Sequence, residues 1–263
     1  MKKKNYHLIL GSILSGTMLF LIIAGLFFLP YDPESMDINL KFAGISFAHP
    51  FGCDNYGRDI FTRVMVGART TLFVAIGTVG IGALVGTLIG AFTGYFGGWV
   101  DEVMMRIIDA LFAFPSILLA LVVISLQGSG KYQVIVALGI AFVPSFARVV
   151  RSEYLKLREM DFVKNARIMG CGHLRIMFVH ILPNILSVLV PTLMIGFNNA
   201  VLAEAGMSYL GIGVQPPDAS LGRMLSEAQT YLFNQPTYAL FTGLTIVTLV
   251  LGFSLMADGL EKR

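Results

Sequence analysis

Six apolar runs, each long enough to cross a bilayer, decide what this chain can fold into. They lie approximately at 7–29, 71–96, 103–126, 132–150, 185–210 and 236–257, and each meets the roughly 20 apolar residues that the hydrocarbon thickness demands of a helix. Lipid offers no hydrogen bonds, so a spanning segment must satisfy its own backbone, and a helix does so. Too little polar sequence is left between the runs for a separate soluble domain. Charged residues are 13% of the 263 and hydrophobic residues 56%, against roughly 25% charged in an ordinary soluble domain. The expected fold is an all-α membrane protein with six transmembrane helices. The third run carries Asp109 and the fourth is interrupted by Pro144, which makes these two the weakest spans.

Lys2, Lys3 and Lys4 precede the first run. Its apolar stretch exceeds the roughly 7–15 residues of a signal-peptide core, and no small-residue cleavage pattern precedes Tyr31. Residues 1–30 are therefore expected to form an uncleaved anchor helix, ended by Pro30 and Pro33 at the membrane surface. Charge then orients the chain. With the N-terminus in the cytoplasm, the inner segments hold Lys2, Lys3, Lys4, Arg106, Arg148, Arg151, Lys156, Arg158, Lys164, Arg167, Arg175, Lys262 and Arg263. The outer segments hold Lys41, Arg58, Arg63, Arg69, Lys131 and Arg223. That bias obeys the positive-inside rule and is expected to put both termini of a multi-pass membrane protein in the cytoplasm. The net charge of +3 is thus an orientation signal, since no basic stripe with interleaved aromatics suggests nucleic acid. Cys53 and Cys171 fall on opposite sides of this topology, so no disulfide between them is expected.

Within the spans, small and polar residues carry the information. Gly82, Gly86, Gly90 and Gly94 recur in steps of four and share one helix face. Lipid supplies no hydrophobic drive for helix association, so such a face is expected to pack closely against a neighbouring span. Asp101, Glu102, Arg106 and Asp109 are spaced to pair along their own helix, and Asp59 stands four residues before Arg63 in the same relation. Asn198, Asn199 and Glu204 sit inside the fifth run, where amide and ionisable groups must face protein or a wet cavity. They are candidate pathway-lining residues, with interhelical hydrogen bonds as the alternative. Leu221, Met224, Leu225, Ala228 and Leu232 describe a short amphipathic helix on the outer surface.

No catalytic chemistry is visible. Gly128-Ser-Gly-Lys131 comes nearest to a nucleotide-binding loop, but Ser125 stands where the first glycine belongs and Tyr132 where Ser or Thr must meet magnesium. HExxH and GxSxG are absent, and the four histidines are dispersed, with neither cysteine in a metal-ligand pair. The chain is expected to bind no cofactor or metal and to catalyse nothing itself.

Three separated motifs carry a family resemblance. Asp161-Phe-Val-Lys-Asn-Ala166-Arg167 with Gly170, followed by His180-Ile-Leu-Pro183-Asn184, resembles the cytoplasmic coupling loop of ABC importer permeases. Lys164 and Asn165 stand where that family usually has Glu-Ala, and Val179 where a basic residue is common. The stretch His49-Pro-Phe-Gly-Cys53-Asp-Asn-Tyr-Gly57-Arg58-Asp59 through Arg63 is similar to the segment before the second span of peptide-type permeases, with Cys53 replacing the usual Thr. Ala203-Glu204-Ala-Gly-Met-Ser208-Tyr-Leu-Gly211-Ile-Gly213 resembles the same subfamily, with Leu221 beyond it where relatives usually have Trp.

The resemblance implies the type I ABC importer permease fold and a C-type permease of the peptide/nickel class, in the inner (plasma) membrane. Its organisation would be an anchor at 1–30, an extracytoplasmic segment at 31–69, and a transmembrane domain at 70–260 with a coupling loop at 152–184. The implied partners are a second homologous permease, two cytoplasmic ATPases holding ATP and magnesium, an extracytoplasmic substrate-binding protein, and lipid. Asp161, Lys164, Asn165, Ala166, Arg167, Gly170 and Pro183 would meet the ATPase, with Ala166 allowing close seating and Gly170 turning the chain. Di- or oligopeptides are the implied cargo, with nickel or a metal chelate as runner-up. A non-transporting membrane scaffold is the rival from another class. A secondary transporter is disfavoured because no internal repeat is found.

Overall fold

A computed structural model describes residues 6–261. Lys2, Lys3, Lys4, Lys262 and Arg263, which entered the orientation argument, lie outside the described residues. The apolar runs form helices α1 (Tyr6–Phe27), α2 (Ile60–Phe96), α3 (Gly98–Phe112), α4 (Ser116–Gln127) and α5 (Lys131–Leu157). A short helix α6 (Asp161–Ile168) and one turn, α7 (His173–Arg175), lead through a π-helical turn (Ile176–Ile181) and a 3-10 turn (Leu182–Ile185) into α8 (Leu186–Tyr209). The chain closes with α9 (Leu221–Thr230) and α10 (Pro236–Glu261). Among the described residues, five helical stretches are long and apolar enough to cross a membrane, and a sixth crossing exists only if α3 and α4 together form one.

The third expected span is where the structure departs most from the sequence reading. Residues 103–126 are not one helix, because α3 and α4 meet at 89°. Pro115 explains the break: it has no N–H to give the preceding turn, and it drives the residue before it out of the helical region. Pro144 and Pro191, by contrast, lie inside continuous helices. Two other helices are longer than expected. α2 begins at Ile60 and not near 71, and α5 runs on to Leu157, so part of the expected 152–184 loop is helix.

α5 is the central helix. Two-thirds (67%) of its most apolar stretch is buried, against a third or less in the other long helices. Its main partner is α2, and the glycine face makes that contact. A Cβ on Gly82 would lie 2.9 Å from Phe142 Cβ, on Gly86 2.6 Å from Phe146 Cβ, on Gly90 2.5 Å from the Ala147 carbonyl, and on Gly94 2.6 Å from Tyr154 Cβ. A second seam of the same kind joins α1 to α10, where Gly11 abuts the Met256 backbone and Gly252 abuts Ser15. Close backbone approach replaces the hydrophobic drive that lipid removes.

The acidic residues of α3 pair across helices more than along their own. Only Arg106 and Glu102 pair within α3, at 3.1 Å. Asp101 takes two hydrogen bonds from Arg151 of α5, at 2.5 and 2.6 Å, and Asp109 accepts from Arg148 at 2.7 Å. These pairs hold the bent α3 against α5. A fork of two parallel bonds is the strongest geometry open to an arginine and a carboxylate.

Between α1 and α2 the chain is irregular but strapped down. Asp59 caps α2, accepting from the Thr62 N–H at 2.7 Å, and its other oxygen meets His49 at 2.9 Å. The expected side-chain pair between Asp59 and Arg63 is not formed. Arg63 turns instead to Asp54 (2.5 Å) and to Glu227 of α9 (3.1 Å). Asp54 also accepts from Arg58 Nε and from the Tyr56 and Arg58 backbone N–H groups. Gly57 closes this turn at φ +76°, where a Cβ would run into the Asp37 carbonyl. Cys53 is fully buried beneath it, and burial, with Asp59, Asp54 and Asp37 adding to the effect, pushes its thiol pKa up to about 11. The thiolate is the reactive form, so burial and the raised pKa both lower this cysteine's reactivity at neutral pH. The amphipathic helix α9 turns Leu221, Met224 and Ala228 into the bundle, fully buried, so this face packs on protein.

Candidate functional site

Helix α6 is packed on one side and exposed on the other. Val163 and Ala166, three residues apart on one face, are buried against Tyr95, Tyr154, Ile176, Met177 and Ile181. Gly170 ends the helix at φ +80°. The Gly170 N–H returns to the Arg167 carbonyl at 2.9 Å and the Cys171 N–H to the Ala166 carbonyl at 3.0 Å, a pair of bonds that closes a helix on a left-handed glycine. Asp161, Lys164, Asn165 and Arg167 are left on the outer face, and Ile168 and Met169 are each 83% exposed. Two bare apolar side chains thus stand amid charge on this face.

The mount beneath this surface is an apolar cluster tied by a few polar contacts. Tyr154 donates to the Met177 carbonyl at 2.9 Å, Tyr95 meets His173 Nδ1 at 2.9 Å, and Arg158 donates to the Gly94 carbonyl at 3.1 Å. The Arg167 guanidinium lies 5.3 Å from the Tyr95 ring centroid. The segment is thereby tied to the ends of α2 and α5 that also carry the glycine seam. Pro183 stays exposed in the 3-10 turn that leads into α8. Ala166, expected to allow close seating on a partner, is 8% exposed and faces inward, so its small size seats α6 on its own bundle.

The polar residues of α8 divide in three directions. Asn199 lines an open cleft of about 360 Å³ between α4, α5 and α8, together with Ser116, Ser145 and Thr192. Asn198, one residue back, is buried against α10, where its amide donates to the Val250 carbonyl at 3.2 Å and accepts from the Ser254 N–H at 3.1 Å. Glu204 is fully buried and accepts from Thr71 Oγ1 at 2.9 Å and Ser208 Oγ at 2.7 Å. Those two hydroxyls accept in turn from the backbone N–H groups of Leu221 and Val214. Glu204 thus fastens α2, α8, the following loop and α9 together. Of the three candidate pathway residues, only Asn199 faces open space. Ser116, Ser145, Thr192, Tyr95 and Tyr154 carry no local pattern as isolated hydroxyls and aromatics in the sequence, where Arg158 reads only as one of the inner-segment charges.

The comparisons with known proteins bear on this arrangement. A family model described as the binding-protein-dependent transport system inner membrane component matches residues 86–263, which include α6, its mount and the cleft. The chain belongs to this family. A glutathione transport system permease protein, GsiD, of Pectobacterium atrosepticum is 40% identical over 255 residues, covering 95% of this chain and 85% of that protein. GsiD of Escherichia coli O6:K15:H31 is 44% identical over 233 residues, covering 88% and 77%. Among solved structures, inward-facing MetNI methionine ABC transporter aligns with a TM-score of 0.62 at 20% identity, over 76% of this chain and 95% of that one. An amino acid ABC transporter aligns with a TM-score of 0.58 at 20% identity, over 76% and 94%. At that identity the two structures establish the fold. The binding-protein-dependent permease is thus the membrane subunit of an ABC importer, a transport component and not an enzyme. It resides in the inner membrane and works with ATPase and substrate-binding components.

Proposed function

We propose that this permease forms half of the pathway for small peptides, and that α6 transmits the ATPase stroke to it. The observation carrying the cargo reading is the 40–44% identity, over most of both chains, to permeases named for transport of glutathione, itself a tripeptide. Nickel or a metal chelate draws no support from these relatives. The cleft agrees in chemistry, since Asn199, Ser116, Ser145 and Thr192 offer uncharged hydrogen-bonding groups along an apolar wall. Such groups suit peptide backbones and leave the side chains unread. The cleft is open on one side, and a second homologous permease would close it.

Asp161, Lys164, Asn165, Arg167, Ile168 and Met169 would seat in the ATPase, with Gly170 fixing the turn and Pro183 the exit toward α8. Two ATPase subunits, one beneath each permease, would hold the ATP and magnesium. The charge bias supports a cytoplasmic position for this surface and for both termini. The test is uptake by the reconstituted complex with its binding protein. Unlabelled di- and tripeptides should suppress uptake of labelled glutathione, and Asn199→Leu should lower uptake several-fold in a complex that still assembles. Nickel uptake that peptides leave untouched would overturn the reading.

A further inference from the structure

A crevice of about 670 Å³ runs between α1 and α2, apart from the cleft and from α6. Its walls are apolar: Leu19, Ile22 and Leu26 on α1 and Leu72, Phe73 and Ile76 on α2. Leu19 to Leu26, like Arg69 to Ile76, is seven residues, so the groove extends about 10 Å along the helices. Its mouth differs in kind. Arg69 stands there exposed, its side chain with no hydrogen bond or ion pair among the described residues. Lys131, at the start of α5, stands beside it, paired to Asp218 at 2.9 Å. Tyr132 lies next to Lys131, its ring edge-on to Phe73 with centroids 6.3 Å apart. Two cations and one carboxylate leave the mouth with one positive charge unmatched.

We propose that the crevice is a binding site for an anionic phospholipid, with the phosphate at Arg69 and Lys131 and an acyl chain along the groove. The placement fits the membrane's own layering. Arg69 falls where α2 passes from its polar start into its apolar stretch, which is headgroup depth, and a tyrosine at that level is the usual interfacial anchor. Half-exposed Phe73, Ile76 and Leu26 need a hydrocarbon partner, and a guanidinium at the rim needs an anion. One molecule supplies both. Asp218 holds Lys131 in place and leaves Arg69 as the group that discriminates by charge. A lipid here would wedge the anchor helix α1 against the central pair.

The test uses the assembled transporter in mild detergent, titrated with dioleoyl phosphatidylglycerol, phosphatidylcholine or phosphatidylethanolamine and read by native mass spectrometry. Phosphatidylglycerol should be retained preferentially. Arg69→Gln, at an exposed position, should lower that retention about fivefold, the worth of one cation at a membrane surface. Ile76→Trp, which fills the groove and leaves the charges, should lower retention of every lipid. Equal retention of the three lipids overturns the charge selectivity. Unchanged phosphatidylglycerol binding in both variants overturns the site. Cross-linking of an Ile23→Cys complex to a neighbouring subunit identifies the crevice as a protein interface and overturns the proposal as well.

Discussion

Gly90→Leu is expected to abolish assembly of the permease. A Cβ at this position would sit 2.5 Å from the Ala147 carbonyl, 2.9 Å from the Arg151 N–H and 2.9 Å from Val150 Cβ. Two of these atoms are backbone of α5 and cannot rotate away, so the helices must separate. Overpacking a core typically costs about 1–3 kcal/mol where side chains can adjust, and this site lies above that range. Separation would also pull Arg151 from Asp101, the fork that holds α3. The control lies ten residues back on the same helix. A Cβ on Gly80 meets nothing within 4 Å, so Gly80→Leu should assemble at the normal yield. Size-exclusion recovery of the complex with its partner subunits separates the two. Equal recovery of both leucine variants would refute the close-packed seam.

Asp54→Leu should be nearly as damaging, for an electrostatic reason. Asp54 is fully buried and accepts from Arg58, from Arg63 and from two backbone N–H groups. Without it, buried Arg63 keeps only Glu227, itself shared with Arg58 and Tyr238. Removing one partner of a buried ion pair costs about 3–5 kcal/mol because the surviving charge stays in a poor solvent. The loss should loosen the 31–59 segment from α9 and α10. Cys53 reports it directly: its thiol is buried in the native protein and should become reactive toward maleimide in the Asp54→Leu variant at neutral pH. A thiol that stays as protected as in the unaltered protein would show that the network does not hold this segment.

How much of this was legible in the sequence follows from the range of the forces involved. Hydropathy and the four-residue glycine step are local signals, and both gave elements that exist: the long helices and the α2–α5 face. The 89° bend at Pro115 was not legible as such, since an apolar composition continues on both sides of it. The pairing of Asp101 and Asp109 was misread because i, i+4 spacing advertises a partner on the same helix, whereas the arginines of α5 offer better geometry. Ala166 showed the same limit in reverse. Its small size marks close packing, but the sequence does not say which body it packs against. Asn198, Asn199 and Glu204 read alike as polar groups in lipid, yet adjacent positions on a helix point about 100° apart, and only Asn199 meets the cleft.

Cross-linking measures directly whether α6 seats the ATPase, as proposed. The complex would carry Cys171→Ser together with Ile168→Cys, Met169→Cys or Val163→Cys, with Cys53 buried and silent. Ile168 and Met169 are open while Val163 is fully buried, so a short bis-maleimide together with an ATPase bearing a surface cysteine should join the first two and not the third. If α6 carries the stroke as proposed, the yield should change when ATP is bound and hydrolysed. The predicted result is an ATPase adduct from Ile168→Cys and Met169→Cys with none from Val163→Cys. A complex that imports its cargo and hydrolyses ATP normally, yet gives no ATPase adduct from either exposed position, would contradict it.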